Sequence, residues 1–422
     1  MSHAAGFLGG AKERLLPASI PFRYFATASV FHVLFWLVLF FAADTLAGFS
    51  GEPGLVLASI HLLTLGVFVM TAMGAAFQLL PVSTRRPMTT HWPARLAYWL
   101  LMPSTLLLTF AMATATPMAL HGGAVGVVAA LLVFALLTGD NLTRARSAMP
   151  VVAAHGWAAL AALFVFAGLG LALAFDFANG FLPDRPAIAA THMVFAAFGF
   201  MGLLAFGFSH VLIPMFVLSR TLPPRPGWLQ FGLVCLAVLL GGLGALTGNV
   251  MALSAAFAAG LGASAAYLWL MRTALETAMR KRLGLSFLVI KASWGLLVLA
   301  LVTGLAVSAG APLPNGFVLF GFLLLAGWLL TFLLGILQRI MPFLASMHAI
   351  AKSGRPPLLS ELTAERPLKF HAICHFAALV LCTTGIILDN PLVIKAGAIC
   401  GLAGAISFAT FTGHIITRLR KT

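Results

Sequence analysis

The chain has 422 residues, of which 61% are hydrophobic and only 8% are charged, whereas a soluble domain is typically about half apolar and about one quarter charged. This composition excludes a water-soluble enzyme and a disordered chain, and the continuous apolar runs exclude a porin-type barrel. The formal net charge of +15 does not indicate nucleic acid as a partner, because basic loops are typical of inner-membrane proteins.

Apolar runs of membrane-spanning length follow one another from residue 24 to residue 417. Because a helix needs about 20 apolar residues to cross a bilayer, they predict an all-α polytopic membrane protein of about twelve transmembrane helices, surrounded by lipid. The predicted domains are an N-terminal tail, 1–23, a single membrane domain, 24–417, and a C-terminal tail, 418–422. The predicted spans are 24–48, 54–82, 95–118, 121–138, 151–175, 187–218, 226–246, 249–271, 284–308, 316–346, 368–388 and 391–417.

The distribution of charge predicts the orientation. With the N-terminus in the cytoplasm, 21 of the 25 Lys and Arg residues fall in cytoplasmic segments, and only Arg185 lies in an outside loop. This asymmetry predicts that both termini are cytoplasmic in a bacterial-type inner membrane. All ten acidic residues lie in loops or at span ends, whereas a cation-coupled transporter usually places a carboxylate in mid-membrane.

Spans 2, 6 and 10 share one pattern of glycine and proline. Each has a proline near its inner end, with glycines seven and fifteen residues before it. At about 100° per residue, these positions fall within a sector of about 80° on each helix. The prolines recur at an interval of four spans, which predicts three pseudo-symmetric four-helix units. The positions are Gly66, Gly74 and Pro81 in span 2, Gly199, Gly207 and Pro214 in span 6, and Gly327, Gly335 and Pro342 in span 10.

Span 2 contains the stretch from His61-Leu-Leu-Thr-Leu-Gly66 through Gly74-Ala-Ala-Phe-Gln-Leu-Leu-Pro81. Three four-span units, with histidines near the outer ends of spans 2 and 6, resemble subunit I of the haem–copper oxidase superfamily. The span 2 stretch is most similar to the C-family (cbb-type) oxidases and their relatives. The topology resemblance covers nearly the whole chain, but the motifs cover only spans 2 and 6 and, more weakly, span 10.

The resemblance implies a haem-binding redox protein that carries haem b and transfers electrons or binds oxygen or nitric oxide, beside a cytochrome or other redox subunit. In that family the span 2 histidine is an axial ligand of the low-spin haem, and the span 6 histidine is a copper ligand. His61 is thus implied as a haem ligand and His192 as a second metal ligand. They lie at matching depth, about 8–10 Å below the outer boundary. The alternative is a buried histidine bonded to a carbonyl.

The chain departs from the family at the remaining ligands. The family's tenth span carries two haem-binding histidines, whereas the outer part of span 10 here has Phe320 and Phe322. The family's seventh span supplies a histidine pair to copper, and span 7 here has no histidine. A complete haem–copper centre is therefore not predicted, and whether the protein is an enzyme stays open. One haem, or a haem with an altered copper site, remains the expectation.

A second group of histidines is predicted near the inner side, and its members are His32, His155, His210, His371, His375 and His414. His371 and His375 are four residues apart and share a helix face, which could hold one metal or one haem ligand and its partner. A solvated interfacial pair is the alternative. Polar groups of the three units, including the glutamines of spans 2 and 10, are expected to face one another as a site or a hydrogen-bond network. The candidate cofactor-binding residues are His61, His192, His210, His371, His375 and His414.

Two other functions compete with the leading hypothesis. One is an NnrS-like haem and copper protein of the nitric oxide response, a twelve-span family whose His-x-His-Glu pattern near span 2 is missing from residues 60–64. The other is a secondary transporter of a small solute, since twelve spans with both termini inside is a common transporter layout. Transporters of that layout usually repeat in halves, however, whereas this chain repeats in thirds.

Overall fold

The computed structural model describes residues 15–83, 88, 90–144, 149–280, 282–353 and 359–421. Over these ranges the chain contains helices and no strand, and twelve helices are long and apolar enough to cross a membrane. The predicted all-α polytopic membrane fold is therefore confirmed. The helices are α1 Ser19–Leu46, α2 Leu55–Val82, α3 Trp92–Thr114, α4 Pro117–Arg144, α5 Pro150–Asn179, α6 Arg185–Val217, α7 Pro224–Thr247, α8 Val250–Glu276, α9 Leu285–Ser308, α10 Gly316–Ala349, α11 Glu365–Ile387 and α12 Pro391–Arg420.

Every helix overlaps the predicted span at its place in the chain, and no end differs by more than six residues. The largest difference is at α4, which continues to Arg144, and Asp140 and Arg144 form an exposed i,i+4 ion pair, 2.6 Å long, on its last turn. α1 begins at Ser19, inside the predicted tail, and the tail before residue 15 lies outside the described residues. Which side is cytoplasmic stays a prediction. The outer end of the bundle is here the end with Arg185, and the inner end is the opposite one.

Nine helices form a closed ring around the other three. In order of contact the ring runs α1, α3, α4, α5, α7, α8, α9, α11 and α12, and α12 packs back on α1. The apolar windows of α2, α6 and α10 are 72% or more buried, against 50% or less in every other span. These three helices therefore stand at the centre, and α10 contacts both of the others. Each comes from a different four-helix unit of the predicted repeat.

Each central helix contains a π-helical segment at the same place in the repeat. The segments are Leu62–Val69 in α2, Phe195–Gly202 in α6 and Leu323–Leu330 in α10, eight residues each. Every one begins nineteen residues before its proline and includes the outer glycine. In a π turn each N–H bonds to the carbonyl five residues earlier, so the helix widens while its backbone stays paired. Hydropathy does not predict this feature, and its recurrence supports the threefold repeat.

The inner glycines allow each central helix to approach the helix that precedes it. A Cβ at Gly74 would lie 2.7 Å from Cβ of Tyr24 in α1, and a Cβ at Gly207 would lie 2.7 Å from Cβ of His155 in α5. Gly335 lies equally close to α9. Separations this short leave no room for a side chain. The same inner contact therefore joins α1 to α2, α5 to α6 and α9 to α10, which are the first two helices of each four-helix unit.

The outer glycines face the same neighbours less uniformly. Gly66 lies against Phe31 of α1 and Gly199 against Ala162 of α5, whereas no side chain comes closer than 3.7 Å to a Cβ built at Gly327. The predicted 80° sector assumed uniform α-helical turns. Since each outer glycine lies within a π segment, that angle does not apply. The outer glycines still face the preceding helix, which approaches Gly66 and Gly199 too closely for a side chain to fit.

We expect Gly207→Ala to lower the thermal stability of the purified protein in detergent. The new methyl group would overlap His155, and overpacking of this kind typically costs about 1–3 kcal/mol. Gly168→Ala is the matched control, because a Cβ at Gly168 has nothing within 4 Å. Unfolding curves should shift down for the first variant and not for the second. Identical curves for wild type and Gly207→Ala would contradict the close approach of α5 and α6.

Candidate functional site

His61 of α2 and His192 of α6 lie opposite each other near the outer end. Their ring centroids are 6.5 Å apart, and the ring planes are 22° from parallel. Nδ1 of His61 donates to the carbonyl of Leu57 at 3.0 Å, and Nδ1 of His192 donates to the carbonyl of Phe166 at 2.8 Å. Because a carbonyl only accepts, each neutral ring carries its lone pair on Nε2. Within the described residues, no other hydrogen bond uses these two Nε2 atoms.

Local structure fixes the orientation of both rings. His61 is the last α-helical residue before the π segment of α2, and its carbonyl acceptor lies one turn earlier on that helix. His192 lies two turns after the first residue of α6 and bonds across to α5. Gly170 of α5 allows this contact, since a Cβ there would lie 2.9 Å from Cε1 of His192. The Phe166 ring packs edge-on against the same imidazole at 6.0 Å.

Both rings line one large, partly open cavity of about 1040 Å³. Its walls come from α1 to α10 and are mostly aliphatic and aromatic, with Met193 and Met201 among them. Pockets for small molecules and cofactors measure about 300–1,000 Å³. The volume is therefore sufficient for an organic cofactor and far exceeds that of an ion. Among the described residues that line this cavity, Arg185 is the only one with a formal charge.

The number of side-chain ligands near His61 and His192 limits which kind of metal centre can bind there. In the described part of the chain, no group of three or more His, Cys, Asp or Glu is placed to hold a metal ion. Zinc sites usually need three or four protein ligands, whereas haem iron takes its equatorial nitrogens from the porphyrin and only axial ligands from the protein. Metal–nitrogen bonds of about 2 Å, and roughly 1.2 Å from each nitrogen to its ring centre, separate two imidazoles on one metal by roughly 6.4 Å. The observed 6.5 Å is compatible with that arrangement.

A second group of histidines is buried between α1, α10 and α11. The ring centroid of His371 lies 6.0 Å from that of His32 and 5.7 Å from that of His375. Nε1 of Trp36 donates to Nε2 of His32 at 3.0 Å, and the hydroxyl of Thr331 lies 2.8 Å from Nε2 of His375. His371 and His375 are at most 2% exposed. The alternative of a solvated interfacial pair is therefore wrong.

This buried group is separate from the large cavity, to which α11 and α12 contribute no wall residue. Nδ1 of His371 donates to the carbonyl of Gly404 at 3.0 Å, and Phe408 packs against both His371 and His32. One nitrogen of each ring has no hydrogen-bond partner within the described ranges. The three rings thus pack against one another and against buried aromatic side chains, outside the large cavity.

His155 and His210 form a separate inner pair, and His414 joins neither group. His210 of α6 lies beside His155 of α5, with ring centroids 5.5 Å apart. His155 donates from Nδ1 to the carbonyl of Val151 at 2.8 Å, and its Nε2 lies 3.0 Å from the Gln230 carboxamide. His414 is half-buried near the inner end of α12 and makes no ring contact or hydrogen bond in the described part. Of the six candidates, only His61 and His192 share the large cavity.

The expected polar network between the three units is not formed by direct hydrogen bonds among the described residues. Gln78 of α2 and Gln338 of α10 bury their carboxamides, but neither makes a side-chain hydrogen bond there. His210 instead packs with groups of α5 and α7.

Sequence reasoning missed two residues that hold His192, namely Phe166 and Gly170. The available signal was the pair of glycines at 168 and 170 in the outer half of span 5, level with His192. Small residues are frequent wherever membrane helices pack, so that signal did not single out a site. It becomes specific only when the approach of α5 to α6 is known.

No model of a known protein family matches this chain, and no curated protein matches its sequence. The structure itself establishes a multi-pass integral membrane protein with twelve candidate spans over its described residues, and such helices contact the lipid bilayer.

We expect the hydrogen bond between Thr331 and His375 to contribute to stability. Thr331→Val keeps the shape and removes the hydroxyl, so it should destabilise the purified protein by about 1 kcal/mol in thermal or denaturant unfolding. In a His375→Phe background the same substitution should cost much less. Thr303→Val is the control, because Thr303 bonds only to the Leu299 carbonyl of its own helix. An unchanged cost of Thr331→Val in both backgrounds would show that the two side chains do not interact.

Proposed function

We propose that this protein is a haem-binding redox protein of a bacterial-type inner membrane, with His61 and His192 as the axial ligands of one b-type haem. The observation that carries the proposal is the facing pair of imidazoles, 6.5 Å apart, on the wall of an apolar cavity of about 1040 Å³. When bound there, the haem supplies a one-electron carrier.

The protein's own residues prepare the ligands. The carbonyls of Leu57 and Phe166 select the tautomer in which Nε2 is free, and such a partner also raises the basicity of an imidazole ligand. Because Gly170 has no side chain, the His192 ring packs directly against α5. The aliphatic and aromatic wall gives both nitrogens apolar surroundings, which favours binding of a large apolar ring system.

Electron transfer is the activity that this arrangement favours. If both imidazoles bind the same iron, no axial position remains for oxygen or nitric oxide. Copper beside the haem is not part of the proposal, because the described residues contain no group of three or more ligands. A cytochrome or another redox subunit is the proposed electron donor or acceptor. A gas-binding role would require one of the two histidines to leave the iron.

The architecture supports the proposal through its resemblance to subunit I of the haem–copper oxidase superfamily. Three four-helix units, each with one central helix, are the shared feature. The proposed ligand set differs, because the family's tenth span carries the haem-binding histidines, and α10 here has Phe320 and Phe322 in its outer part. We therefore propose that α6, through His192, takes the role of α10 as the second source of an axial ligand to the haem.

Reduced-minus-oxidised absorption spectra and a pyridine haemochrome count of the purified protein test this proposal. Wild type should carry one b-type haem per chain with a six-coordinate spectrum in both redox states. His61→Ala and His192→Ala should each lower haem affinity at least tenfold, because each removes an axial ligand while loss of a mere supporting partner already costs that much. Both variants should keep the thermal unfolding behaviour of a folded membrane protein.

His121→Ala is the matched control and should retain the haem. His121 also lies near the outer end, but it stacks on Phe175 at 4.3 Å and is not part of the cavity wall. A protein that binds no haem, or one whose spectrum does not depend on His61 and His192, would refute the proposal. A spectral shift of the wild type with carbon monoxide would reject electron transfer through a doubly ligated haem in favour of gas binding.

A further inference from the structure

Arg185 differs from the other charged residues in two independent ways. It is the only basic residue in the predicted outside loops, and among the described residues it is the only formally charged one that lines the large cavity. The rest of that wall is apolar apart from a few hydroxyls and the two histidines. A single cation beside an extended apolar surface suits a ligand with one acidic edge and an apolar body.

The contacts of Arg185 leave its donors available. Its Nε lies 3.9 Å from Oδ2 of Asp176, which is too long for a hydrogen bond. Its guanidinium lies 5.8 Å from the centroid of the Phe177 ring. Over the described ranges the guanidinium makes no hydrogen bond, although it has five N–H donors. Asp176 is buried and its other oxygen already accepts from the Leu182 amide at 2.6 Å, so it holds the arginine in place without saturating it.

Arg185 and His192 lie on the same face of α6. They are seven residues apart in a regular α-helical stretch, which is two turns and about 10 Å along the axis. That rise is of the order of the distance from the centre of a porphyrin to its carboxylate edge. A haem held by His192 thus has the arginine within reach of the edge that points to the outer end.

We propose that Arg185 binds the propionate carboxylates of the haem and orients the acidic edge of the ring towards the outer end of the bundle. This inference rests on the proposed function, because it requires a haem at His61 and His192. The guanidinium is suited to the task, since its planar fork binds a carboxylate through two hydrogen bonds. Arg185 is a ligand-positioning residue, and Asp176 positions Arg185.

The test compares haem with its dimethyl ester, which lacks the carboxylate charges, in wild type, Arg185→Gln and Arg185→Lys. Apoprotein is loaded with each, and the rate of transfer to excess apomyoglobin is followed by absorption. Arg185→Gln should release haem about 10- to 100-fold faster than wild type, as expected for loss of a charged hydrogen bond. Arg185→Lys should fall between them. With the dimethyl ester all three proteins should release the ligand at the same rate.

The reduction potential gives a second readout that a purely structural role would not move. Removing a positive charge near the haem disfavours the added electron, so Arg185→Gln should have a lower midpoint potential than wild type while keeping the six-coordinate spectrum. Arg144→Gln, at an exposed ion pair on α4, is the control and should behave as wild type. Equal haem release by wild type and Arg185→Gln, with His61→Ala still losing the haem, would overturn this inference alone. Haem binding that is indifferent to both histidines would instead overturn the proposed function.

Discussion

In lipid, every backbone amide and carbonyl must find its partner within the protein, and the architecture of this bundle depends on that constraint. A large cavity in a membrane protein cannot be opened by breaking helices that face lipid. Here α2, α6 and α10 stay continuous and widen by eight-residue π segments at one repeated position. The widened turns lie inside a closed ring of nine helices, so the change of helix type is shielded from lipid. Glycines then allow each central helix to pack directly on the one before it.

The three four-helix units carry different residues at equivalent positions, so the candidate site is not threefold symmetric. The residue that immediately precedes the π segment is His61 in α2, Val194 in α6 and Phe322 in α10. The proposed ligand on α6 is instead His192, two residues further from the segment. In α10, Phe320 stacks on Phe198 of α6, so aromatic packing occupies the equivalent place. A threefold scaffold thus carries a two-residue candidate site between α2 and α6.

Hydropathy predicted the number and limits of the helices because a bilayer imposes length and apolarity on each span. The repeat was predictable because the glycine contacts need the same residue at the same distance from each proline. What could not be predicted depends on contacts between distant helices. The carbonyl of Phe166 and the space at Gly170 orient His192, and neither follows from a local pattern. The inner histidines looked like one group by depth, but depth does not show which neighbours a helix face meets, and they form two.

The central claim is that His61 and His192 share one haem iron. Electron cryo-microscopy of the purified, haem-replete protein in lipid nanodiscs tests it most directly, at a resolution that shows the porphyrin plane. We predict a porphyrin between α2 and α6, with its iron at the usual metal–imidazole distance of about 2 Å from Nε2 of both histidines. A cavity filled by lipid, or a haem on the buried histidines of α1 and α11, would contradict it.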